Sequence, residues 1–365
     1  MEIKKIEVIH IPEVCYYNTF IEIITQIQRN TNIDVLVPGI LHDVPNAPEP
    51  FFKNSIKYFS RDAKKIVHFH WPEKLYRRIN HTEFINELDN LKKENVILVK
   101  TIHNLKPHEI NDEKENRLEQ VFNSMIDKFI LFSNAQLNQF VNEYPQYRHK
   151  CEIIPHPNYF TNVVKNEDNI NWRCRVRAKY NIPHNTLCFL AIGRLRHYKR
   201  IDVLLDALRL IKLSNIRLVI VGNPDELAIH ELIQTRAAKD TRIIYISKFV
   251  EEKDIQELLL ACDIVTLPYE KPWSSGVAIL ASNYGKPILG SVPLMFDLEH
   301  SEYEDVGFIS TQINITAEII SELMRKAHSV NNEGLISMGA NFKKMTGRYN
   351  NEEIGEMYHK LYQNL

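Results

Sequence analysis

Short apolar segments alternate with longer amphipathic segments along the N-terminal part of the chain. Short apolar runs are typical of buried strands, whereas apolar residues at three- and four-residue spacings are typical of helices. The strands predicted in this way are IEVIHI, IDVLVP, KIVHFHW, VILVKTIH and KFILFS. The helices predicted among them are TFIEIITQIQRN, HTEFINELDNLKKEN and EKENRLEQVFNSMID. Strands that alternate with helices predict a parallel sheet covered on both faces.

The same alternation begins again after residue 184. The strands predicted there are LCFLAIG, IRLVIVG, RIIYIS, IVTLPY and KPILGS. The helices are RIDVLLDALRLIKL, ELAIHELIQTRAAK, EEKDIQELLLACD and SSGVAILASNYG, followed at the end of the chain by NEEIGEMYHKLYQNL. The predicted fold class is therefore α/β, with two consecutive parallel sheets.

The segment between the two regions differs from both, because it has little apolar periodicity before Trp172. A chain of 365 residues also exceeds what one hydrophobic core usually organises. Two such units leave a crevice, and ligands of open parallel sheets bind beyond the carboxyl ends of the strands. We predict an N-terminal domain at residues 1–158, a linker at 159–183, a C-terminal domain at 184–345 and a final helix at 346–365 that packs back on the N-terminal domain.

Composition narrows the choice of partners. The chain is 44% hydrophobic and 25% charged, and its net charge of −1 argues against nucleic acid as a partner. The five cysteines are scattered without a CxxC pair, which is typical of reduced thiols in the cytoplasm. The sequence shows neither a signal peptide nor an apolar run long enough to span a membrane, so we expect a cytoplasmic protein.

Residues 51–78 contain eight Lys or Arg residues with aromatic residues among them. A surface of this kind suits an anionic lipid headgroup or a lipid-diphosphate acceptor, with peripheral contact at the inner face of the membrane. An ordinary solvated face interrupted by a core strand is the alternative interpretation.

The strongest chemical signal is FLAIGRLRHYKRIDVLLDAL, at residues 189–208. A predicted strand ends at Gly193, which allows a ligand to approach the backbone closely. A short loop with several cations follows, and a helix begins near Ile201. Arg194 and Lys199 are suited to a diphosphate, Arg through its two-pronged fork and Lys as a point charge. A solvated basic loop is the alternative, and its position directly after a buried strand makes that alternative weaker.

This segment resembles the second domain of GT-B glycosyltransferases, in particular the retaining group called family 4. The residues that carry the resemblance are Gly193, Arg194, Lys199, Asp202, Leu204, Leu205 and Ala207. The resemblance implies two Rossmann-like domains that face each other across a cleft. It also implies that Arg194 and Lys199 bind the nucleotide diphosphate and stabilise it as a leaving group.

A second signal lies in CDIVTLPYEKPWSSGVAILASNYGKPILGS. In the family, this region is a strand, a loop and a helix whose N-terminus faces the donor, and the free N–H groups of such a helix favour anions. This sequence departs from the family pattern at two places. Leu280 occupies the place of a ribose-binding glutamate, and Pro272 lies near the place of another. We interpret this as a Ser-Ser-Gly variant found in a polysaccharide-assembly subgroup; a strand, loop and helix without a ligand is the alternative. The predicted donor set is Gly193, Arg194, Lys199, Tyr269, Ser274, Ser275, Gly276 and Glu299.

The N-terminal domain contributes histidines at the ends of two predicted strands, His70 and His103. Relatives often have a histidine at the second place, near the transferred sugar, so we predict that His103 donates a hydrogen bond to a sugar hydroxyl or to the leaving phosphate. His68 and His70 share one strand face, but no third metal ligand is evident and a buried, hydrogen-bonded His68 is the simpler interpretation. The predicted acceptor-side residues are Tyr17, Asn18, His70, Trp71 and Asn104, with His108 and Glu109 near them.

The resulting hypothesis is a metal-independent enzyme without a cofactor, in cell-surface polysaccharide biosynthesis. It moves a sugar from a UDP- or GDP-linked donor to a hydroxyl of a glycan or lipid-linked oligosaccharide, with retention of configuration. The alternatives on the same fold are a nucleotide-sugar 2-epimerase, a phosphorylase, and a non-catalytic partner subunit or glycan-binding scaffold. A dinucleotide-dependent oxidoreductase is disfavoured because no GxGxxG follows a strand.

Overall fold

The computed structural model of the chain describes residues 5–12, 19–37, 56–72, 80–105, 113–159, 169–270, 272–312 and 314–365. It divides into two compact units. The first unit combines Met1–Pro157 with Tyr349–Leu365, and the second is Asn158–Arg348. Within the described residues, no helix is both long and apolar enough to cross a membrane.

The first unit contains a six-stranded sheet in the order β2-β1-β3-β4-β5-β6, and every pair of neighbours is parallel. Its strands are β1 (Ile6–Ile11), β2 (Ile33–Leu36), β3 (Lys64–His70), β4 (Ile97–Thr101), β5 (Lys128–Leu131) and β6 (Cys151–Ile153). The first five are the strands predicted from the sequence. The sixth was missed because it has three residues, none of them fully buried, and therefore carries no apolar run.

Four described helices lie between these strands: α1 (Thr19–Arg29), α2 (His81–Lys93), α3 (Glu113–Met125) and α4 (Asn134–Glu143). Short polar side chains satisfy free N–H groups where helices begin. Asn80 accepts from the N–H groups of Thr82 and Glu83 before α2, and Ser133 accepts from that of Gln136 before α4.

A helix near the end of the chain, which we call α13 (Asn351–Asn364), belongs to the first unit and packs on α1. Gly355 allows the close approach, because a Cβ atom there would lie 2.7 Å from Cγ2 of Thr31 and 2.9 Å from Cγ2 of Ile27. The aromatic rings of Tyr358 and Tyr362 are fully buried. Helix α13 thereby inserts polar hydroxyl groups into the interior of the first unit.

The second unit contains another six-stranded parallel sheet, in the order β12-β11-β10-β7-β8-β9. Its strands are β7 (Leu187–Ile192), β8 (Ile216–Val221), β9 (Ile243–Ile246), β10 (Ile264–Leu267), β11 (Ile288–Gly290) and β12 (Gly307–Ile309). The first five were predicted from the sequence. Strand β12 was not, since three residues are too few for a periodic signal.

Four of the eight described helices of the second unit, those between Ile201 and Asn283, were predicted from the apolar spacing. The eight are α5 (Asn169–Lys179), α6 (Ile201–Arg209), α7 (Leu227–Ala237), α8 (Glu252–Ala261), α9 (Gly276–Asn283), α10 (Tyr303–Val306), α11 (Ala317–Ser329) and α12 (Asn332–Thr346). Helix α5 lies in the segment taken as a linker and packs on α8. Its buried Arg177 donates to the carbonyl of Ala261 at 2.9 Å and to Asp263 at 2.8 Å, which ties the helix to the second unit.

The turn after α9 and helix α12 approach each other through two glycines. Gly285 has a left-handed φ of +59°, and a Cβ atom on Gly339 would lie 1.8 Å from the carbonyl oxygen of Gly285. Backbone atoms cannot move away as the end of a flexible side chain can. The contact therefore requires glycine at position 339.

We expect Gly339→Ala to lower the free energy of unfolding by about 1–3 kcal/mol, because the added methyl group overpacks this contact. The exposed Ser337→Ala in the same helix is the control and should leave stability within about 0.5 kcal/mol. Urea unfolding followed by circular dichroism measures both variants. Equal stability of the two would contradict the close contact.

Candidate functional site

The carboxyl ends of β7 and β8 form a tight backbone platform in the second unit. Gly193 follows β7 with a φ of +97°. A Cβ atom on Gly222, which follows β8, would lie 1.9 Å from the carbonyl oxygen of Gly193. The N–H of Leu195 donates to the carbonyl of Asn223 at 2.8 Å and continues the pairing beyond the strands. The loop after β7 is therefore held by backbone contacts.

Lys199 lies under this platform. Its side chain is buried, with 7% of the residue exposed, and its Nζ donates to the carbonyl of Ile192 at 3.3 Å. The same ammonium lies 5.5 Å from the ring centroid of Tyr269. Burial lowers the pKa of Lys199 to about 8. Among the described residues, no carboxylate lies within ion-pair distance of this Nζ; Asp225 attracts the ammonium only from a longer distance, and burial has the larger effect on its pKa.

Arg194 and Arg196 both pair with Asp225, which follows β8. Nε of Arg194 donates to one carboxylate oxygen, and Nε of Arg196 donates to the other at 2.9 Å. The side chain of Arg194 remains 66% exposed. An exposed pair of this kind contributes little to stability and exchanges partners easily. Arg194 is thus available to an anion at the same loop.

Helix α9 begins beside Gly193. A Cβ atom placed on Gly193 would lie 3.3 Å from Nζ of Lys199 and 3.7 Å from Cγ2 of Val277, in the first turn of α9. Ser275 caps the helix, since its hydroxyl oxygen accepts from the N–H of Ala278 at 3.2 Å. The start of the helix, the glycine and the buried ammonium therefore lie together.

Two hydrogen bonds hold the loop before α9, one to the loop after β7 and one to the residue that follows β11. The N–H of Glu270 donates to the carbonyl of Tyr198 at 3.0 Å, and Ser291 Oγ donates to the carbonyl of Tyr269 at 2.8 Å. The ring of Tyr269 is buried. These contacts hold the two loops of the predicted donor set in one place.

Leu280, where the family resemblance places a ribose-binding glutamate, lies in α9. Its side chain is buried with only 8% exposed, so it contributes to the core. Glu270 is exposed next to Tyr269. Glu299 is also exposed, and its hydrogen bonds join it to Glu302. Its backbone N–H donates to the carboxylate of Glu302 at 2.8 Å, and its carbonyl accepts from the backbone N–H of Glu302 at 3.0 Å. The structure therefore does not bond Glu299 to the residues around Lys199.

The first unit brings four histidines together at the centre of its sheet. His10, His68 and His70 are buried on neighbouring strands, and His103 is buried just beyond β4. His10 contacts His70, with Nδ1 and Nε2 3.0 Å apart, and His70 contacts His103, with Nδ1 and Nε2 3.1 Å apart. Burial lowers the pKa of His10 to about 4 and that of His70 well below its usual range. The interior rings are therefore neutral.

The sequence analysis found no third metal ligand beside His68 and His70, and the structure supplies one in His10. Ring nitrogens of the three lie within 4.8 Å of one another. Protein groups already occupy both nitrogens of each ring, however. His68 bonds to the hydroxyl groups of Tyr362 at 2.7 Å and Thr101 at 2.8 Å, and the 3.0 Å between His10 and His70 is a hydrogen-bond distance. The arrangement fits a hydrogen-bonded network better than a cation site.

Trp71 and Asn104 lie next to His103. The indole of Trp71 stacks on the imidazole of His103, with ring centroids 3.8 Å apart and an angle of 21° between the planes. His103, Asn104 and Lys100 help to line a cavity of about 20 Å³, which is large enough for about one water molecule. Four predicted residues lie outside the described part of the chain: Tyr17, Asn18, His108 and Glu109.

Sequence reasoning missed several residues that complete these two clusters. Asp225 follows a predicted strand, and a carboxylate at that place was a usable signal. Gln28 lies on the buried face of α1, where a polar residue interrupts the apolar spacing. Tyr362 gave no signal, because an aromatic residue in an amphipathic helix is ordinarily a core residue.

The comparisons place this geometry among known proteins. Residues 173–323 match the family described as Glycosyl transferases group 1. A GDP-mannose:glycolipid 4-beta-D-mannosyltransferase from Xanthomonas campestris pv. campestris is 27% identical over 268 residues, which cover 71% of this chain and 70% of that protein. The predicted enzyme class, a glycosyltransferase, is confirmed by these matches.

Solved structures resemble the chain over nearly its whole length. Anabaena HepE in complex with UDP-glucose has a TM-score of 0.74 at 14% identity, and covers 99% of this chain and 100% of its own. Sucrose-phosphate synthase from Thermosynechococcus elongatus has a TM-score of 0.72 at 16% identity, with 99% and 98% covered. WaaG, a glycosyltransferase involved in lipopolysaccharide biosynthesis, has a TM-score of 0.67 at 14% identity, with 98% and 99% covered. The predicted GT-B fold class is confirmed.

We expect Lys199→Met to raise the free energy of unfolding at pH 7 by up to about 3 kcal/mol, since a pKa of about 8 in the folded state against 10.5 corresponds to that difference. Below pH 8 the lysine is charged in both states and the burial penalty is complete. The penalty decreases as the pH rises through 8 and disappears near 10.5. Urea unfolding of both proteins between pH 7 and pH 10 measures this difference, and a constant difference would contradict the lowered pKa.

Proposed function

We propose that the protein transfers mannose from GDP-mannose to a hydroxyl of a lipid-linked glycan in cell-surface polysaccharide assembly. The donor and the acceptor class come from the printed name of the mannosyltransferase relative. HepE, whose solved complexes contain UDP and UDP-glucose, supports a nucleotide-sugar donor in general. A GDP-linked donor is preferred here because the mannosyltransferase is the relative with the higher sequence identity.

The buried ammonium of Lys199 is the observation that carries the proposal. A lysine without a carboxylate partner lowers the stability of the fold, so its presence calls for another explanation. A diphosphate next to Gly193 supplies the missing negative charge. Its binding raises the pKa of Lys199 again, and the bound complex then holds a charged lysine beside a phosphate oxygen.

Arg194 and the start of α9 complete the phosphate site. The side chain of Arg194 is exposed, so its guanidinium can turn toward a phosphate. It does this either by giving up its bond to Asp225 or by presenting the edge that does not contact Asp225. The free N–H groups at the start of α9, with Gly276 among them, add partial positive charge. Each of these groups interacts more strongly as the bond between sugar and phosphate breaks and charge builds on the diphosphate.

We further propose that this charge is stabilised without a metal ion or cofactor. Lys199, Arg194 and the α9 N-terminus offer the same kind of electrostatic stabilisation that a divalent cation supplies elsewhere. The missing carboxylate at Leu280 leaves the ribose without a partner on α9. Nucleotide recognition in this protein therefore depends more on the phosphates than the family pattern implies.

The stereochemical course distinguishes two versions of the proposal. The family 4 resemblance predicts retention, which gives an α-linked product from an α-linked sugar nucleotide. The β linkage in the name of the relative corresponds to inversion of such a donor. The product decides between retention and inversion. The one-bond carbon–hydrogen coupling constant at its anomeric carbon, measured by NMR, differs between α- and β-mannosides.

A non-catalytic subunit on the same fold is the second candidate, and the absent glutamate at Leu280 favours it. A non-catalytic subunit, however, does not need a buried cation such as Lys199 at the end of a strand. The family match, which includes both donor-site segments, favours the enzyme.

We expect Lys199→Ala to reduce the transfer rate at least 100-fold, because the leaving diphosphate loses its buried cation. Lys212→Ala, at an exposed lysine after α6, is the control and should keep the parent rate. GDP release with a lipid-linked acceptor, measured in EDTA, gives the rate. Full activity of Lys199→Ala would contradict the phosphate site, and loss of all activity in EDTA would contradict the metal-free mechanism.

The donor is tested by thermal shift with GDP-mannose, GDP, UDP-glucose and UDP. GDP-mannose should raise the melting temperature most, because only the preferred nucleotide gains base contacts beyond those of the phosphates. The same ligand should give no shift with Lys199→Ala. An equal or larger shift with UDP-glucose would overturn the assignment of the donor but leave the phosphate site intact.

A further inference from the structure

Gly276, the first residue of α9, lies directly against a tyrosine ring. A Cβ atom placed on Gly276 would lie 3.0 Å from Cε2 of Tyr159 and 3.3 Å from its hydroxyl oxygen. These distances are shorter than most contacts that a real Cβ atom makes. The backbone of Gly276 is helical, a conformation that alanine adopts readily. The requirement for glycine at this position therefore comes from a neighbour and not from the backbone.

Tyr159 contacts both ends of α9. Its ring lies at Gly276, and its backbone carbonyl accepts from Nδ2 of Asn283, the last residue of the helix. Tyr159 belongs to the second unit, which begins at Asn158, although the sequence analysis placed residue 159 in a linker. All of these contacts therefore lie within the unit that contains Lys199, and they fix the position of α9 there.

A second contact holds the residue before Gly276. The backbone N–H of Ser275 donates to the thioether sulfur of Met295 at 3.1 Å, and the N–H of Met295 donates to the carbonyl of Trp273 at 3.2 Å. Met295 is buried. A thioether sulfur is a weak acceptor and carries no charge. Tyr159 is neutral as well, because burial raises the pKa of its phenol further above the ordinary value.

Uncharged supports suit an anion site at the start of a helix. A carboxylate in the place of Met295 or Tyr159 would repel the phosphates and compete for the partial positive charge of the helix. A neutral ring and a neutral sulfur fix the position of the helix start and leave that charge to the ligand. The position matters because the attraction is confined to the first turn of the helix.

We propose that Tyr159 and Met295 are positioning residues of the donor site, which hold the start of α9 beside Gly193 and Lys199. This inference rests on the proposed function for the identity of the ligand. It also gives Gly276 a reason, since the glycine makes room for the ring of Tyr159. The alternative is that the glycine makes room for the ligand itself, and the two interpretations predict different results.

A double-mutant cycle between positions 159 and 276 separates the two interpretations. Inorganic pyrophosphate is the probe, because it has the phosphates of the donor without the base or the sugar. Gly276→Ala should weaken its binding about two- to fivefold, since the methyl group and the ring cannot both keep their places. When Tyr159→Leu is also present, Gly276→Ala should cause no further loss. An equal loss in both backgrounds would overturn the inference, because the glycine would then serve the ligand.

The single variants at position 159 test the role of the ring. Tyr159→Leu should weaken pyrophosphate binding about two- to tenfold, because the start of the helix loses its support. Tyr159→Phe retains the ring and should keep the parent affinity, as isothermal titration calorimetry can measure. Parent-like affinity in Tyr159→Leu, or an equal loss in Tyr159→Phe, would contradict the role of the ring. Tyr159→Met takes the place of Tyr159→Leu if the latter does not fold.

Met295→Leu removes the sulfur and nearly preserves the volume of the side chain. The amide proton signal of Ser275 should move upfield as its hydrogen bond is lost, and pyrophosphate binding should weaken about two- to fivefold. Met324→Leu, at a buried methionine of α11, is the matched control and should change neither. An unchanged Ser275 signal or an unchanged affinity in Met295→Leu would show that Met295 does not position the helix.

Thermal unfolding without ligand tests the contact independently of the proposed function. Alanine usually stabilises a helix relative to glycine. Gly276→Ala should nevertheless lower the melting temperature of the parent protein, and it should not lower that of Tyr159→Leu. This pattern in a protein that binds no pyrophosphate would leave the contact standing but overturn both the phosphate site and the positioning role. Pyrophosphate binding with equal losses in both backgrounds would keep the phosphate site and overturn only the inference.

Discussion

The buried ammonium of Lys199 is the constraint on which the second unit depends. A charge in that position is tolerated because the carbonyl of Ile192 and the face of Tyr269 surround it, and because Gly193 above it has no side chain. The loop after β7 and the start of α9 must both come close to the same point. The backbone pairing of Leu195 with Asn223 and the cap at Ser275 keep them there.

The two units place opposite kinds of polar group at comparable positions. The second unit collects cations and free N–H groups where β7 and β10 end, which suits an anionic ligand. The first unit collects neutral imidazoles along β1 and β3, in an interior where burial suppresses their charge. The cations of the second unit thus suit an anionic group, and the neutral imidazoles of the first unit suit hydrogen bonding. Each arrangement follows from parallel strands, whose successive ends lie along one edge of a sheet.

Much of the fold could be predicted from the sequence, because buried parallel strands are continuous apolar runs and the helices have apolar residues at regular spacing. The exceptions have different causes, and helices α11 and α12 were not predicted although α11 has apolar residues at helical spacing. Strands β6 and β12 have three residues each and present no pattern. Helix α5 carries four cations and little apolar spacing, and the ion pair of Arg177 with Asp263 holds it beside the buried Val176.

The sequence by itself determined the alternation of strands and helices, the Gly193–Lys199 loop and its likeness to a nucleotide-sugar site, since these are local patterns. Only the tertiary structure decided that Lys199 is buried with no carboxylate of the described residues within ion-pair distance, that Asp225 holds the arginines and that Leu280 belongs to the core. It also decided that Gln28 meets Tyr362, from 334 positions further along the chain. Hydrogen bonds and desolvation depend on distances in space, and chain spacing does not encode which distant residues a fold brings within 3 Å.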